Sequence, residues 1–402
     1  MIAINNCKIN SSKNTSNKPR FPKNEYKLQN YKERQAYVEK KGNTKLLNLC
    51  DRQHHKDTSK LTGSIENFIG YTQIPTGIAG PIKVNGSAAS GLFHVPLATT
   101  EGALVASYHR GAKATKLSGG INVACVDEGV QRCPLFGFTY LHEALVFSDW
   151  IKEVQDNFPL LAAAYTKHGK LKKTSFNMEG NQVIVTFEYT TGDAAGQNMV
   201  TICTDAICKY IINNCPVKPQ YWYIESNYAG DKKATAVALN GVRGKKVIAE
   251  CVISKEILKS ILKTSAAAVA HYWKASTIAV MQSGSIGAQG HFANGLAALF
   301  LATGQDVACV SEAAVGITRM EVRNQNDLYV SITAPNLIVG TVGGGTKFAT
   351  QNECLKLMGC AGAGKAKKFA EICGALLLCG EISIAAAIAE GHFTSAHQNL
   401  GR

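Results

Sequence analysis

The residue types with the most chemical potential sit in one short stretch. Tyr221, Trp222, Tyr223 and Ile224 make an apolar, β-prone run that empties into a polar loop, Glu225 to Gly230, and the loop delivers Asp231, Lys232 and Lys233 side by side. A strand that ends in adjacent cations can hold negative charge, although a solvated turn has the same pattern. Three further motifs carry ionisable groups: Glu101 in Thr99-Thr100-Glu101-Gly102, Asp306 in Gly304-Gln305-Asp306, and His397 in Ser395-Ala396-His397. Two glycine-marked segments suit a dinucleotide. Gly192-Asp193 precedes a helix whose first turn holds Gly196, and Gly340-Thr341-Val342-Gly343-Gly344-Gly345-Thr346 follows an apolar run. No G-x-G-x-x-G occurs. Gly359 to Ala366 nearly spells a phosphate-binding loop but carries Ala366 where the metal-binding hydroxyl belongs.

These motifs need elements to position them. Residues 25–50 have helical composition, with Leu28, Tyr31, Tyr37, Val38, Leu46 and Leu47 as buried candidates. Proline and glycine punctuate residues 65–96 into strands and turns, with a hairpin at Val84-Asn85-Gly86. Thr99 or Thr100 caps a helix to about Lys116, which puts Glu101 in its first turn and Arg110 and Lys113 on one face, toward phosphates or water. Residues 133–219 read as a small α+β unit: a helix over 149–155, a hairpin of 171–178 with 183–189, and a helix over 194–213 on which Asp193 is either N-cap or ligand contact. Residues 234–239 and 245–253 read as strands joined across Asn240-Gly241, and Ser254 caps a helix to about Lys274. Gly284 to Gly290 is a turn before His291 and the helix 295–303, residues 328–333 form a strand, and 368–390 form an apolar helix broken near Gly380.

With 402 residues, 46% of them apolar, the chain can bury a large core and divides into two or three domains. The first 60 residues hold 14 Lys+Arg against 5 Asp+Glu, so they supply +9 of the formal +14. Residues 1–24 of this stretch lack aromatic residues among their lysines before Phe21 and read as a soluble tail, and the main body does not read as a dedicated nucleic-acid binder. Thirteen cysteines without a C-x-x-C imply free thiols in a reducing compartment and no metal site. The longest charge-free stretch, Ala275 to Gln305, is broken by polar residues and five glycines, so no transmembrane segment is expected.

Taken together, ENFIGY, TTEGALVAS, GDAAGQNM, DKK, HFANGLAALFLATGQD, GTVGGGT and GHFTSAH resemble the 3-hydroxy-3-methylglutaryl-CoA (HMG-CoA) reductase family, in order and over Glu66 to Arg402. The TTEG and GTVGGGT forms resemble its biosynthetic, NADPH-using class. The resemblance implies an α+β fold: a basic arm and small helical domain at 1–58, a large substrate domain from 59–132 and 225–402, and an inserted NADP-binding domain at 133–224. It implies a catalytic quartet of Glu101, Lys232, Asp306 and His397. Arg132, Lys233, Lys274, His291 and Asn294 match positions near the acyl substrate, and Ser107, Arg110 and Lys113 match a coenzyme A face. Asp193, Ala195, Gly196, Gln197, Asn198, Met199, Gly340, Thr341 and Gly343 match the dinucleotide site, with Lys167 at the cation for the 2′-phosphate. The implied reaction takes HMG-CoA to mevalonate and coenzyme A with NADPH, in a cytoplasmic homodimer or dimer of dimers whose sites lie at subunit interfaces. The competing readings are an NAD-linked degradative reductase and a catalytically inactive nucleotide-binding protein on the same fold.

Overall fold

The computed structural model describes residues 22–23, 27–49 and 61–391, so the basic arm before Phe21 and His397 lie outside the described residues. Two compact units divide the chain, Met1–Gln73 and Ile74–Arg402. In the first, α1 (Leu28–Gly42) ends at Asn43, which takes the left-handed conformation at φ 45°. Tyr31 is buried and stacks on Phe68, as its spacing suggests, but Leu28 and Leu47 are exposed. Arg34 is buried in their place, because its Nε finds the Phe68 carbonyl at 3.0 Å.

The second unit begins with the hairpin of β1 (Thr76–Gly86) and β2 (Ser90–Ala98), which turns just beyond the expected Val84-Asn85-Gly86. Then comes α2 (Leu104–Leu117). It starts later than expected, since Ala103 sits at φ 66° and sets Glu101 in the loop ahead of the helix. β3 (Ile121–Arg132) follows; its first half pairs with β1 and its last residues, Val130 to Arg132, cross to a second set of strands. That set contains β4 (Leu135–Gly137), β5 (Lys170–Glu179), β6 (Gln182–Thr190) and β7 (Tyr221–Tyr223), and the segments between them form α3 (Leu141–Val154), α4 (Phe158–Ala163) and α5 (Gln197–Asn214). The expected hairpin of β5 and β6 is present, and Val183, Val185, Phe187 and Tyr189 all point into the core.

Two expectations downstream fail for local reasons. Residues 236–240 are the short helix α6 (Ala236–Asn240), because the Thr235 hydroxyl caps the Ala238 amide at 3.1 Å where a strand was expected. β8 (Gly244–Ile253) is in place. Ser254 caps only α7 (Lys255–Ile257), which winds into a π-turn and stops at Lys263 (φ 58°); Ser265 then starts α8 (Ala266–Gln282). α9 (Phe292–Thr303) and α10 (Val310–Ala313) lead to β9 (Ile317–Arg323) and β10 (Asp327–Leu337), and α11 (Ala349–Leu357) and α12 (Ala366–Ala389) close the described chain. The strands form one ten-stranded sheet ordered β7-β4-β6-β3-β8-β10-β9, with β1 and β2 beside β3 and β5 beside β6.

α12 runs unbroken through Gly380. A Cβ there would lie 2.5 Å from the Tyr108 ring, and one at Gly111 would lie 1.9 Å from the Cys379 carbonyl, so Gly111 lets the α2 backbone touch that of α12 and Gly380 makes room for the Tyr108 ring. α12 is the one helix among the described residues long and apolar enough to cross a membrane, and 83% of that window is buried in the fold. The eleven described cysteines carry free thiols.

Candidate active site

The expected strand–loop delivers its cations. β7 ends at Tyr223, Asn227 takes φ 66°, and Lys232 itself takes φ 55°, a conformation that costs a non-glycine residue about 1–2 kcal/mol. Strain of this kind persists only where the surroundings hold it. The Lys232 Nζ meets Asp306 Oδ2 at 2.9 Å. That hydrogen bond holds the ammonium above the ordinary lysine pKa against the opposing effect of burial. Asp306 lies just past α9 and caps the following turn, its Oδ1 accepting from the Ala308 amide at 3.1 Å.

Around this pair the loops lock one another. Arg132, at the end of β3 and buried, donates to Glu225 Oε2 at 2.7 Å, Asp231 Oδ2 at 3.4 Å and Gln197 Oε1 at 3.3 Å. Its Nε and the Gln197 Nε2 are buried without partners among the described residues. Gln197 thus turns its side chain toward Arg132, while its backbone remains at the start of α5. Gln305, next to Asp306, accepts the Gly340 amide at 2.9 Å, and the Thr341 amide donates to the Asp193 carbonyl at 2.8 Å. The Thr341 hydroxyl faces inward to the Gly362 carbonyl. Lys233 folds back onto the Asp231 carbonyl at 3.0 Å.

The dinucleotide segments have an open cradle. α5 begins at Gly196 (φ 82°) with no side-chain cap among the described residues, and a helix start of this kind offers its first-turn amides at the positive end. A Cβ added at Gly343 (φ 76°) or Gly344 (φ 51°) would meet nothing within 4 Å, whereas one at Gly340 would press against the Ala195 amide at 2.7 Å. The loop holding Lys167 packs on the first turn of α5, with the Thr166 hydroxyl 3.0 Å from the Met199 sulfur, and Lys167 is exposed. Asp193 does not cap α5. Its carboxylate accepts from the Gly364 amide at 2.6 Å and the Ala366 amide at 3.0 Å, occupying the phosphate-loop look-alike at the start of α12. Burial acts to raise its pKa, but the amides of Gly364, Ala366 and Lys365 hold it below the ordinary value.

A second cluster forms at the other end of α9. Asn294, in its first turn, donates to both Glu101 oxygens at 3.0 and 2.9 Å. His291 precedes the helix, stacks on Tyr108 with centroids 4.8 Å apart, and is pushed down to a pKa of about 4 by burial, so its ring is neutral at physiological pH. The His291 Nε2 is buried and has no hydrogen-bond partner among the described residues. Glu381 of α12 accepts the His291 amide at 2.6 Å and the Thr318 hydroxyl at 2.7 Å, and burial raises its pKa. Ser107 and Arg110 both reach Ser383, at 3.1 and 3.0 Å, beside a cavity of about 530 Å³ lined by Ile78, Val105, His109, Arg110, Lys113 and Ile261. Lys274 stands on the exposed face of α8, and no hydrogen bond among the described residues ties it to either cluster.

The structure therefore assembles Lys232, Asp306 and Arg132 in one place and Glu101, Asn294 and His291 in another. The sequence reading missed Glu225, Gln305 and Arg243. The first two sit beside named motif residues, but nothing in Asn240-Gly241-Val242-Arg243-Gly244 marks the arginine.

Residues 30–402 match the family model described as hydroxymethylglutaryl-coenzyme A reductase. A 3-hydroxy-3-methylglutaryl-coenzyme A reductase from Pyrococcus abyssi is 45% identical over 86% of this chain and 86% of its own. One from Methanocaldococcus jannaschii is 40% identical over 92% of each. Among solved structures, the class II enzyme from Streptococcus pneumoniae bound to NADPH superposes with a TM-score of 0.68 at 18% identity, covering 89% of this chain and 97% of that one, a likeness of fold. The family and the relatives that the chain matches are oxidoreductases. The chain belongs to the hydroxymethylglutaryl-coenzyme A reductase family.

Proposed function

We propose that the chain catalyses the NADPH-dependent four-electron reduction of HMG-CoA to mevalonate and coenzyme A. The observation that carries this reading is the Lys232–Asp306 pair, seated between the Arg132 anchor and the glycine loop. When bound, the dinucleotide supplies hydride to the acyl carbonyl, in two successive reductions. Each builds negative charge on one oxygen, and a fixed ammonium aimed there contributes typically about 3–4 kcal/mol. Lys232 must stay charged for this, which Asp306 secures. Glu101 serves as proton donor to the nascent alcohol, held by Asn294. His397 carries the proton to the departing thiolate. Arg132, with Lys233, receives the carboxylate end of the acyl group, and the basic cavity at Arg110 and Lys113 receives coenzyme A phosphates. Lys274 is assigned to the acyl site on resemblance alone. The amides at the start of α5 and Gly340 to Gly343 hold the dinucleotide, with Lys167 at its 2′-phosphate, and residues 133–224 act as the inserted dinucleotide-binding domain.

The working unit is a dimer. Glu101–Asn294 and Lys232–Asp306 stand at opposite ends of α9, whose 12 residues span about 18 Å. Within one chain they cannot meet on one carbonyl. A second copy that sets its Glu101 end against the Lys232 end of the first completes the site. Mixed dimers of Glu101→Gln with Lys232→Ala, each inactive alone, then regain turnover; failure to regain it removes the shared site. For the reaction itself, HMG-CoA must drive oxidation of NADPH. No oxidation above background with either dinucleotide supports the inactive binding protein, and preference for NADH supports the degradative reading.

A further inference from the structure

Lys232 and Asp306 are carried on two loop segments, one after β7 and one after α9, and Arg243 bonds to a carboxylate beside each. It is only 1% exposed. Its Nη2 donates to Asp231 Oδ1 at 2.6 Å, its Nε to Glu312 Oε1 at 3.2 Å, and its Nη1 to the Gln131 carbonyl at 3.4 Å. Asp231 is the residue before Lys232. Glu312 lies in α10, on the turn that Asp306 begins, and is fully buried. The second oxygen of Asp231 faces Arg132 at 3.4 Å, so one carboxylate is divided between two buried arginines. A guanidinium is a rigid, permanently charged fork. Gripping two carboxylates at once, it fixes the spacing between the segments that bear them.

We propose that Arg243 is a positioning residue for the reaction, bridging Asp231 and Glu312 so that the Lys232 ammonium and the Asp306 carboxylate stay in register. This rests on the reading of Lys232 as the group that meets the developing oxyanion. It also accounts for the left-handed backbone at Lys232, since a residue at φ 55° needs an anchored neighbour. A purely structural role for the arginine gives a different expectation: lower thermal stability, with turnover intact at temperatures where the protein stays folded.

Arg243→Lys keeps the charge but cannot hold both carboxylates in the fork geometry. Its kcat falls about ten- to hundredfold, the range associated with misplacing a catalytic group by about 1 Å. The fall is the same with HMG-CoA and with mevaldehyde, while the NADPH dissociation constant, read by fluorescence titration, does not change. Because Arg243 acts through Lys232, the double variant Arg243→Lys/Lys232→Ala is no slower than Lys232→Ala alone. Parental kcat in Arg243→Lys, or losses that multiply in the double variant, overturns the proposal. Turnover retained in Lys232→Ala removes the reading on which it rests, an outcome distinct from either. Should Arg243→Lys not fold, Glu312→Gln preserves the volume and removes the charge that orients the arginine. It lowers kcat in the same direction, and an unchanged kcat in that variant overturns the proposal.

Discussion

Asp306→Asn separates the charge of the central pair from its shape. Lys232 Nζ and Asp306 Oδ2 are 2.9 Å apart with side chains 47% and 48% exposed. At the dielectric of water the Coulomb attraction at that distance is about 1.4 kcal/mol. Screening and side-chain entropy leave exposed pairs with about 0.2–1 kcal/mol. The variant therefore loses no more than about 1 kcal/mol of stability, a shift of about 2–4 °C or less in Tm. The effect on catalysis is larger and depends on pH. Asp306 raises the Lys232 pKa, so the pair's contribution to stability is complete below the ordinary lysine value and disappears as pH climbs through the folded value. Without Asp306 the ammonium deprotonates at lower pH, and the alkaline limb of kcat moves toward neutrality. At neutral pH the lysine stays charged but loses its aim, for a fall of up to about 100-fold. Initial rates of dinucleotide oxidation from about pH 6 to 10, with melting curves on the same samples, measure both effects. An alkaline limb that does not move, or a Tm that collapses while kcat holds, refutes the reasoning.

Lys167→Glu weakens NADPH far more than NADH, because only NADPH carries the 2′-phosphate; equal loss in KM for both removes that assignment. His397→Gln loses about 100-fold or more of HMG-CoA turnover but reduces mevaldehyde near the parental rate, since no thiolate leaves in that step. Parallel loss of both activities takes His397 out of the mechanism. Glu381→Gln tests the buried acid beneath His291. Its pKa is raised by burial, so the folded state holds its proton above the pH at which the unfolded chain releases it, and stability falls as pH rises through that window. The variant's amide oxygen still accepts from the Gly290 and His291 amides and no charge is buried, so the Tm of the variant matches the parent at pH 5 and exceeds it at pH 8. A lower Tm at both values shows that the loop needs the ionised carboxylate.

The motif residues were legible because their types and order carry the signal, and the structure brings Asp306 and Arg132 onto the expected loop that carries Asp231 and Lys232. What the sequence hid was decided by single contacts. Residues 236–240 alternate well enough for a strand, yet one threonine hydroxyl caps them into a helix. Gly380 looks like a helix break and is a notch for Tyr108. The loop from Gly359 to Ala366 has the glycines of a phosphate cradle, and it is filled from within by Asp193. Arg243 was invisible because its partners lie 12 residues before it and 69 residues after it in the chain. The separation of Glu101 from Lys232 along α9 is likewise a fact of three dimensions that no spacing between motifs expresses.

The central claim is that one site reduces one carbonyl carbon twice. Its most direct test is the ratio of NADPH oxidised to coenzyme A thiol released, followed together in a single reaction with HMG-CoA. Two dinucleotides consumed per thiol, with mevalonate as the product, is the expected result. One per thiol with free aldehyde accumulating, or thiol release without dinucleotide oxidation, contradicts it.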